Sequence, residues 1–107
     1  ASAESFEDQL PKPTQDTPPT AVIVDLRGQQ DLDPTTLNML TDYATKLREH
    51  HCRFMLAEVG STARATLERT GKLDDVGAEN VFAATEQVGQ SLFDASARAR
   101  EWLETLR

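Results

Sequence analysis

The first dense apolar stretch is Ala21-Val22-Ile23-Val24-Asp25-Leu26, a β-branched run with no polar residue before Asp25. It does not alternate, so it predicts a strand covered on both faces, and it reads as central rather than edge. RGQQDLD follows as a turn. Asp33 then stands directly before Pro34, as a helix N-cap stands before a first helical residue. Leu37, Leu40, Tyr43, Ala44 and Leu47 recur at helical spacing to about Glu49. Arg53-Phe54-Met55-Leu56-Ala57-Glu58-Val59 predicts a second strand. Gly60-Ser61 turns into a helix over roughly 62–70, with Ala63 and Leu67 inward and Gly71 as its stop. Val81-Phe82-Ala83 reads as a short third strand, and a long helix is expected over 85–106.

Strand and helix alternate three times, the pattern of an α/β fold: a small parallel or mixed sheet flanked by helices. Three strands make a small sheet, and a first strand that reads as central predicts a further strand beside it, ahead of this stretch. Before it, four of the chain's five prolines fall within PKPTQDTPP, which cannot continue a helix. Residues 11–20 therefore form a Pro-rich loop between a short lead, 1–10, and the body, 21–107. In the lead, Phe6 and Leu10 are spaced for one helical face, but so short a helix is not stable alone. No internal repeat appears at periods of 20–50 residues.

Composition narrows the function classes. The 107 residues carry 18 acidic and 11 basic side chains, a net charge of −7, which disfavours nucleic acid or an anionic lipid surface as partner. No apolar run is long enough to span a bilayer, and the start has no basic and apolar signal-peptide pattern. The single cysteine, Cys52, rules out an internal disulfide framework and fits a reducing compartment. Starting on Ala1 rather than Met, the sequence reads as a piece of a longer chain.

Candidate chemistry is thin. No glycine-rich phosphate loop, nucleophile elbow or paired-cysteine motif occurs, so no enzyme activity, cofactor or metal is expected. His50, His51 and Cys52 are consecutive and point apart; the plain reading is a helix end running into a strand, with Cys52 as a small buried hydrophobe. Asp33, Thr35 and Thr36 lie after a buried strand at a helix start, where an anion or phosphoryl group is favoured. The competing account is capping alone, with Asp33 repelling an anion at close range. Ser61 and Thr62 form a second strand-to-helix turn, open to the same two accounts. Asp74, Asp75 and Glu79 lack calcium-loop spacing and read as a solvated loop.

In the last helix Val88, Leu92, Ala95, Ala99, Trp102 and Leu106 are spaced by 4, 3, 4, 3 and 4. The first half of this seam is expected on the sheet. The second half, with Trp102, Leu103 and Leu106, is either core or an interface with another chain or domain, including a homodimer.

Several strings resemble a known family. AVIVDLRGQQDLDPTT is similar to the strand–loop–helix opening of a STAS domain. LERTGKLDDVGAENVFAATEQV resembles the tail of STAS domains attached to SulP-type (sulfate permease family) anion transporters, through Leu67, Gly71, Leu73, Asp74, Gly77, Glu79, Asn80, Val81 and Phe82. ASAESF is similar to the start of that group's first helix, of which 1–10 would be a remnant. One or two strands precede that helix in the group and are absent here. The resemblance implies a cytoplasmic regulatory and docking domain on a transporter of sulfate, bicarbonate or related anions, located at the cytoplasmic side of the membrane. Its partners would be the membrane domain of the same transporter, a second copy, and a cytosolic regulatory protein or nucleotide. Free-standing relatives, the anti-sigma-factor antagonists, are phosphorylated on a serine matching Thr35; here Pro34 removes the neighbouring backbone N–H. A soluble phospho-switch is thus the alternative, and a nucleotide sensor using the two helix starts a third reading.

Overall fold

Residues 13–28 and 32–106 are described by the computed structural model. Among them three strands, β1 (Ala21–Asp25), β2 (Arg53–Val59) and β3 (Val81–Ala83), form one parallel sheet in the order β1-β2-β3. Four helices connect and cover it: α1 (Pro34–Glu49), α2 (Ser61–Arg69), α3 (Lys72–Val76) and α4 (Gln90–Thr105), with a 3-10 turn at Ala78–Asn80. The α/β class expected from the alternation is the fold observed, with a wholly parallel sheet. The lead, 1–10, lies outside the described residues.

The strand expected beside β1 lies outside the described residues, so β1 closes the described sheet on one side. β2 is the centre of that sheet. Ala21, Val22 and Ile23 are half-buried, whereas Phe54 to Val59 are buried throughout. A continuous β-branched run reports that both faces are covered, which holds for β1, but cover on the faces does not tell which strands sit alongside.

The two faces are unequal. On the front, Val24, Phe54 and Leu56 meet Leu37, Leu40, Tyr43, Ala44 and Leu47 of α1, Leu67 of α2 and Val76 of α3. The ring of Tyr43 meets Phe54 edge-on, at 5.6 Å and 89°. On the back only Met55 and Ala57 are buried, against Ala95 and Ala99 of α4. Small residues on both sides let this helix lie close to the sheet. Strand pleating explains the division, since Phe54 and Leu56 point one way and Met55 and Ala57 the other.

That alternation breaks at Glu58. Leu56 pairs with Val81 and Val59 with Ala83, so three steps on β2 oppose two on β3, a bulge. Glu58 takes the left-handed conformation, φ 55°, which a β-residue without a glycine's freedom adopts only under constraint. The extra residue returns Val59 to the front cluster with Leu56.

Local signals explain most boundaries. Asp33 caps α1 by accepting the Thr36 N–H at 2.7 Å, with Pro34 as first helical residue. The last helix starts later than expected, at Gln90 rather than near residue 85. Gly89, φ 88°, begins it, so Val88 lies outside the seam and is 74% exposed. The chain must pass from the sheet's upper edge to its back before a helix can lie flat, and 84–88 make that passage. Asp74 and Asp75 are exposed as expected, but they belong to α3 rather than a loop. Two acidic residues in a first turn suit the positive end of a helix.

Candidate functional site

In a parallel sheet all strand carboxyl ends point one way, and ligands collect in the crevice beyond them. Here that crevice has a volume of about 320 Å³ and is lined on its apolar side by buried Leu26 and exposed Ala84 and Val88. Its charged members come from the ends of two strands. Asp25 accepts the Arg27 N–H at 2.8 Å, which fixes the turn after β1. Arg27 then reaches across with one Nη, 3.4 Å from Glu58 Oε1 and 3.7 Å from Asp25 Oδ2. The Glu58 side chain is only 5% exposed and the Arg27 side chain 52% exposed. A carboxylate this far from water needs a countercharge, and the Arg27 guanidinium is the cation facing it.

The bulge aims this carboxylate. The Glu58 N–H donates to Ser91 Oγ at 2.8 Å, both residues being buried, so the first turn of α4 holds the strained residue. Gly89 leaves room beside them: a Cβ there would stand 3.7 Å from Arg27 Nη2 and 4.0 Å from Glu58 Oε1. The crevice thus brings Glu58 of β2 together with the segments that follow β1 and β3, offering one carboxylate and one guanidinium to a polar group.

The residues singled out in the sequence lie elsewhere. Thr35 is exposed and borders a shallow groove on α1 with Met39, Asp42 and Lys46. Ser61 and Thr62 are exposed at the start of α2 and border neither that groove nor the crevice, although Gly60 lines the crevice. The two helix starts therefore do not meet in either cavity. Cys52 is buried, its thiol turned to the His50 carbonyl at 3.5 Å and the Pro18 carbonyl at 3.9 Å. Among the described residues no three His, Cys, Asp or Glu side chains gather as a metal site. Trp102 and Leu103 are half-buried and Leu106 is 49% exposed, with the Trp102 ring 5.9 Å from the Arg53 guanidinium carbon. Arg27, Glu58 and Ser91 escaped the sequence reading. Glu58 carried the one usable signal, a lone acid near the end of an otherwise apolar strand.

Asp33 serves capping directly. Hydrogen bonding from the Thr36 backbone N–H, then from its side chain, holds the Asp33 carboxyl below its ordinary 3.8. A lowered value means the ionised cap stabilises the fold above that pH, and the contribution is lost as pH falls through the folded value. Asp33→Asn keeps an acceptor without the charge. Urea midpoints are expected to be higher for the wild type at neutral pH and to converge in acid well below 3.8. A gap that does not shrink in acid contradicts the ionic account.

Comparison with known families finds one match: the family model described as the STAS domain aligns with residues 1–88. Neither the curated proteins nor the solved structures compared gave a match.

Proposed function

The chain belongs to the STAS domain family, and on that premise we propose that it is the cytoplasmic regulatory domain of a SulP-type anion transporter. In this role it is not an enzyme; it docks on the membrane domain of its own transporter, supports a dimer, and answers to a cytosolic regulatory protein or nucleotide. The observation that carries this reading is the segment between α2 and β3. The residues resembling the transporter-linked tail form a short helix and a 3-10 turn, in which Gly77 has φ 98°. Asn80 donates to the Val76 carbonyl at 3.0 Å and accepts from Arg53 Nε at 2.7 Å. Gly77 and Asn80 thus have structural tasks, so the resemblance spans a built element rather than scattered identities. By the resemblance, the free-standing antagonists usually lack the segment matching Glu79, Asn80, Val81 and Phe82.

Charge supports docking on protein rather than lipid, since a net charge of −7 is repelled by an anionic leaflet. No helix among the described residues is long and apolar enough to cross a membrane, so the membrane part of such a transporter would be encoded elsewhere in its gene. Leu103 and Leu106 near the end of α4 offer the apolar contacts for a partner.

Two measurements test the proposal. The reading frame upstream of Ala1 is expected to encode strands and, before them, ten or more apolar spans of about 20 residues each. Incubation with an anti-sigma-type kinase and ATP is expected to leave Thr35 unmodified. Asp33 already uses the helix N–H groups at that turn, and its carboxylate would face the added phosphate. Stoichiometric phosphate on Thr35 in intact-mass spectra would shift the assignment to the soluble phospho-switch.

A further inference from the structure

At the opposite end of the sheet, beside the start of β2, lies a second cavity of about 280 Å³. Two arginines line it, Arg48 from the last turn of α1 and Arg53 from the first residue of β2. Among the described residues neither has a carboxylate within 4.0 Å, whereas Arg27, Arg64 and Arg98 each have one. In a chain with 18 acids to 11 bases, two guanidinium groups facing one cavity with no carboxylate partner among the described residues are an unusual placement.

Their existing contacts orient them without using their donors up. Arg53 Nε donates to Asn80 Oδ1 at 2.7 Å, and the Trp102 ring supports the guanidinium plane at 5.9 Å. Arg48 Nη2 donates to the Asp75 carbonyl at 2.6 Å. Each guanidinium has five N–H donors in a rigid fork, so most of them remain for a ligand. Glu79 also borders the cavity, but its Oε1 lies only 3.1 Å from where a Cβ on Gly77 would stand, turned toward that glycine. Two guanidinium groups and one carboxylate leave the lining at +1. Buried Phe54 and Val76 and half-buried Trp102 supply the apolar wall.

We propose that this cavity binds a small organic anion, a phosphate or carboxylate group carried on a compact, partly apolar body. The oxyanion bridges Arg48 and Arg53, where a planar fork favours bidentate contact, and the body lies against Trp102 and Phe54. At about 280 Å³ the space is larger than an isolated oxyanion needs, leaving room for the body that carries it. The site sits where α1, β2, the 3-10 turn and α4 meet. Occupancy would therefore tighten the end of α4, which bears Leu103 and Leu106. The inference stands independently of the transporter assignment.

Trp102 is the only tryptophan in the chain and reports on the cavity directly. The full chain is titrated with inorganic phosphate, phenyl phosphate and benzoate at constant ionic strength, with chloride as the balancing salt. A saturable change in Trp102 fluorescence is expected with phenyl phosphate, benzoate or both, and a weaker one with inorganic phosphate. Which organic probe binds more tightly identifies the oxyanion. Arg48→Gln, at an exposed position whose side chain donates to a surface carbonyl, is expected to weaken binding about tenfold or more with an unchanged melting curve. Arg53→Lys keeps the charge, loses the fork, and is expected to weaken binding as well. No saturable response to any probe, a response that chloride reproduces, or constants unaltered in both variants overturns the proposal.

Discussion

Leu56→Ala is expected to remove about 3–5 kcal/mol of folding stability, a large part of what a domain of this size has. Leu56 is 0% exposed, lies on the central strand and packs into the front cluster between α1 and α3. Two terms add: the transfer of the removed methyl groups and the cavity they leave. That cavity cannot collapse, because β2 is held on both sides, by β1 through Val24 and by β3 through Val81. A domain of this size has only about 5–15 kcal/mol in total, so the variant is expected to unfold early in urea with little change in slope. The consequence reaches function, since β2 carries Arg53 at one end and Glu58 at the other. A midpoint within experimental scatter of the wild type would mean that the front cluster is not the principal core.

Gly77→Ala comes second. At φ 98° and ψ 118° the backbone is in a region that L side chains rarely adopt, and strain of ~1–3 kcal/mol is expected from that alone. A Cβ there would also lie 2.9 Å from Asn80 Nδ2. Asn80 cannot swing away cheaply, because it is tied to the Val76 carbonyl and to Arg53. The substitution is therefore expected to lower the melting temperature and also to release Arg53 from its orientation. Gly60 provides the contrast. It has φ −71° with open space around it, so Gly60→Ser is expected to change stability by only a few tenths of a kcal/mol. Equal effects at the two positions would refute the conformational argument.

Much of the fold was legible because its signals are local. The buried seam of α1, its Asp33 cap and Pro34 start, and the bounds of β2 and β3 follow from spacing and side-chain chemistry within a few residues. Errors arose where spacing was extrapolated past a local constraint. The heptad-like pattern ran back to Val88, yet Gly89 and the turn onto the back face delay α4 until Gln90. The lead, 1–10, falls outside the described residues.

The candidate sites were far less visible. Asp33, Thr35 and Thr36 stood out as a helix start, but Thr35 faces a shallow groove on α1 rather than the strand-end crevice. Arg27 and Glu58 are 31 positions apart, as Arg53 and Asn80 are 27 apart. Nothing in either local string shows that these pairs meet.

Residue order alone determined the strand–helix alternation, the apolar seams, the caps and the absence of known catalytic strings, since each depends on neighbours a turn or a pleat away. Membership of the STAS family was likewise readable from linear strings such as GKLDDVGAENVF. Folding in three dimensions decided that β2 is the centre of the described sheet, that a bulge turns Glu58 toward Arg27 and Ser91, and that Arg48 and Arg53 share a cavity with Trp102. These depend on strand pairing and on how closely a helix approaches the sheet, contacts between residues far apart along the chain. Hydrophobic periodicity records which side of an element is buried, and carries no address for what it is buried against.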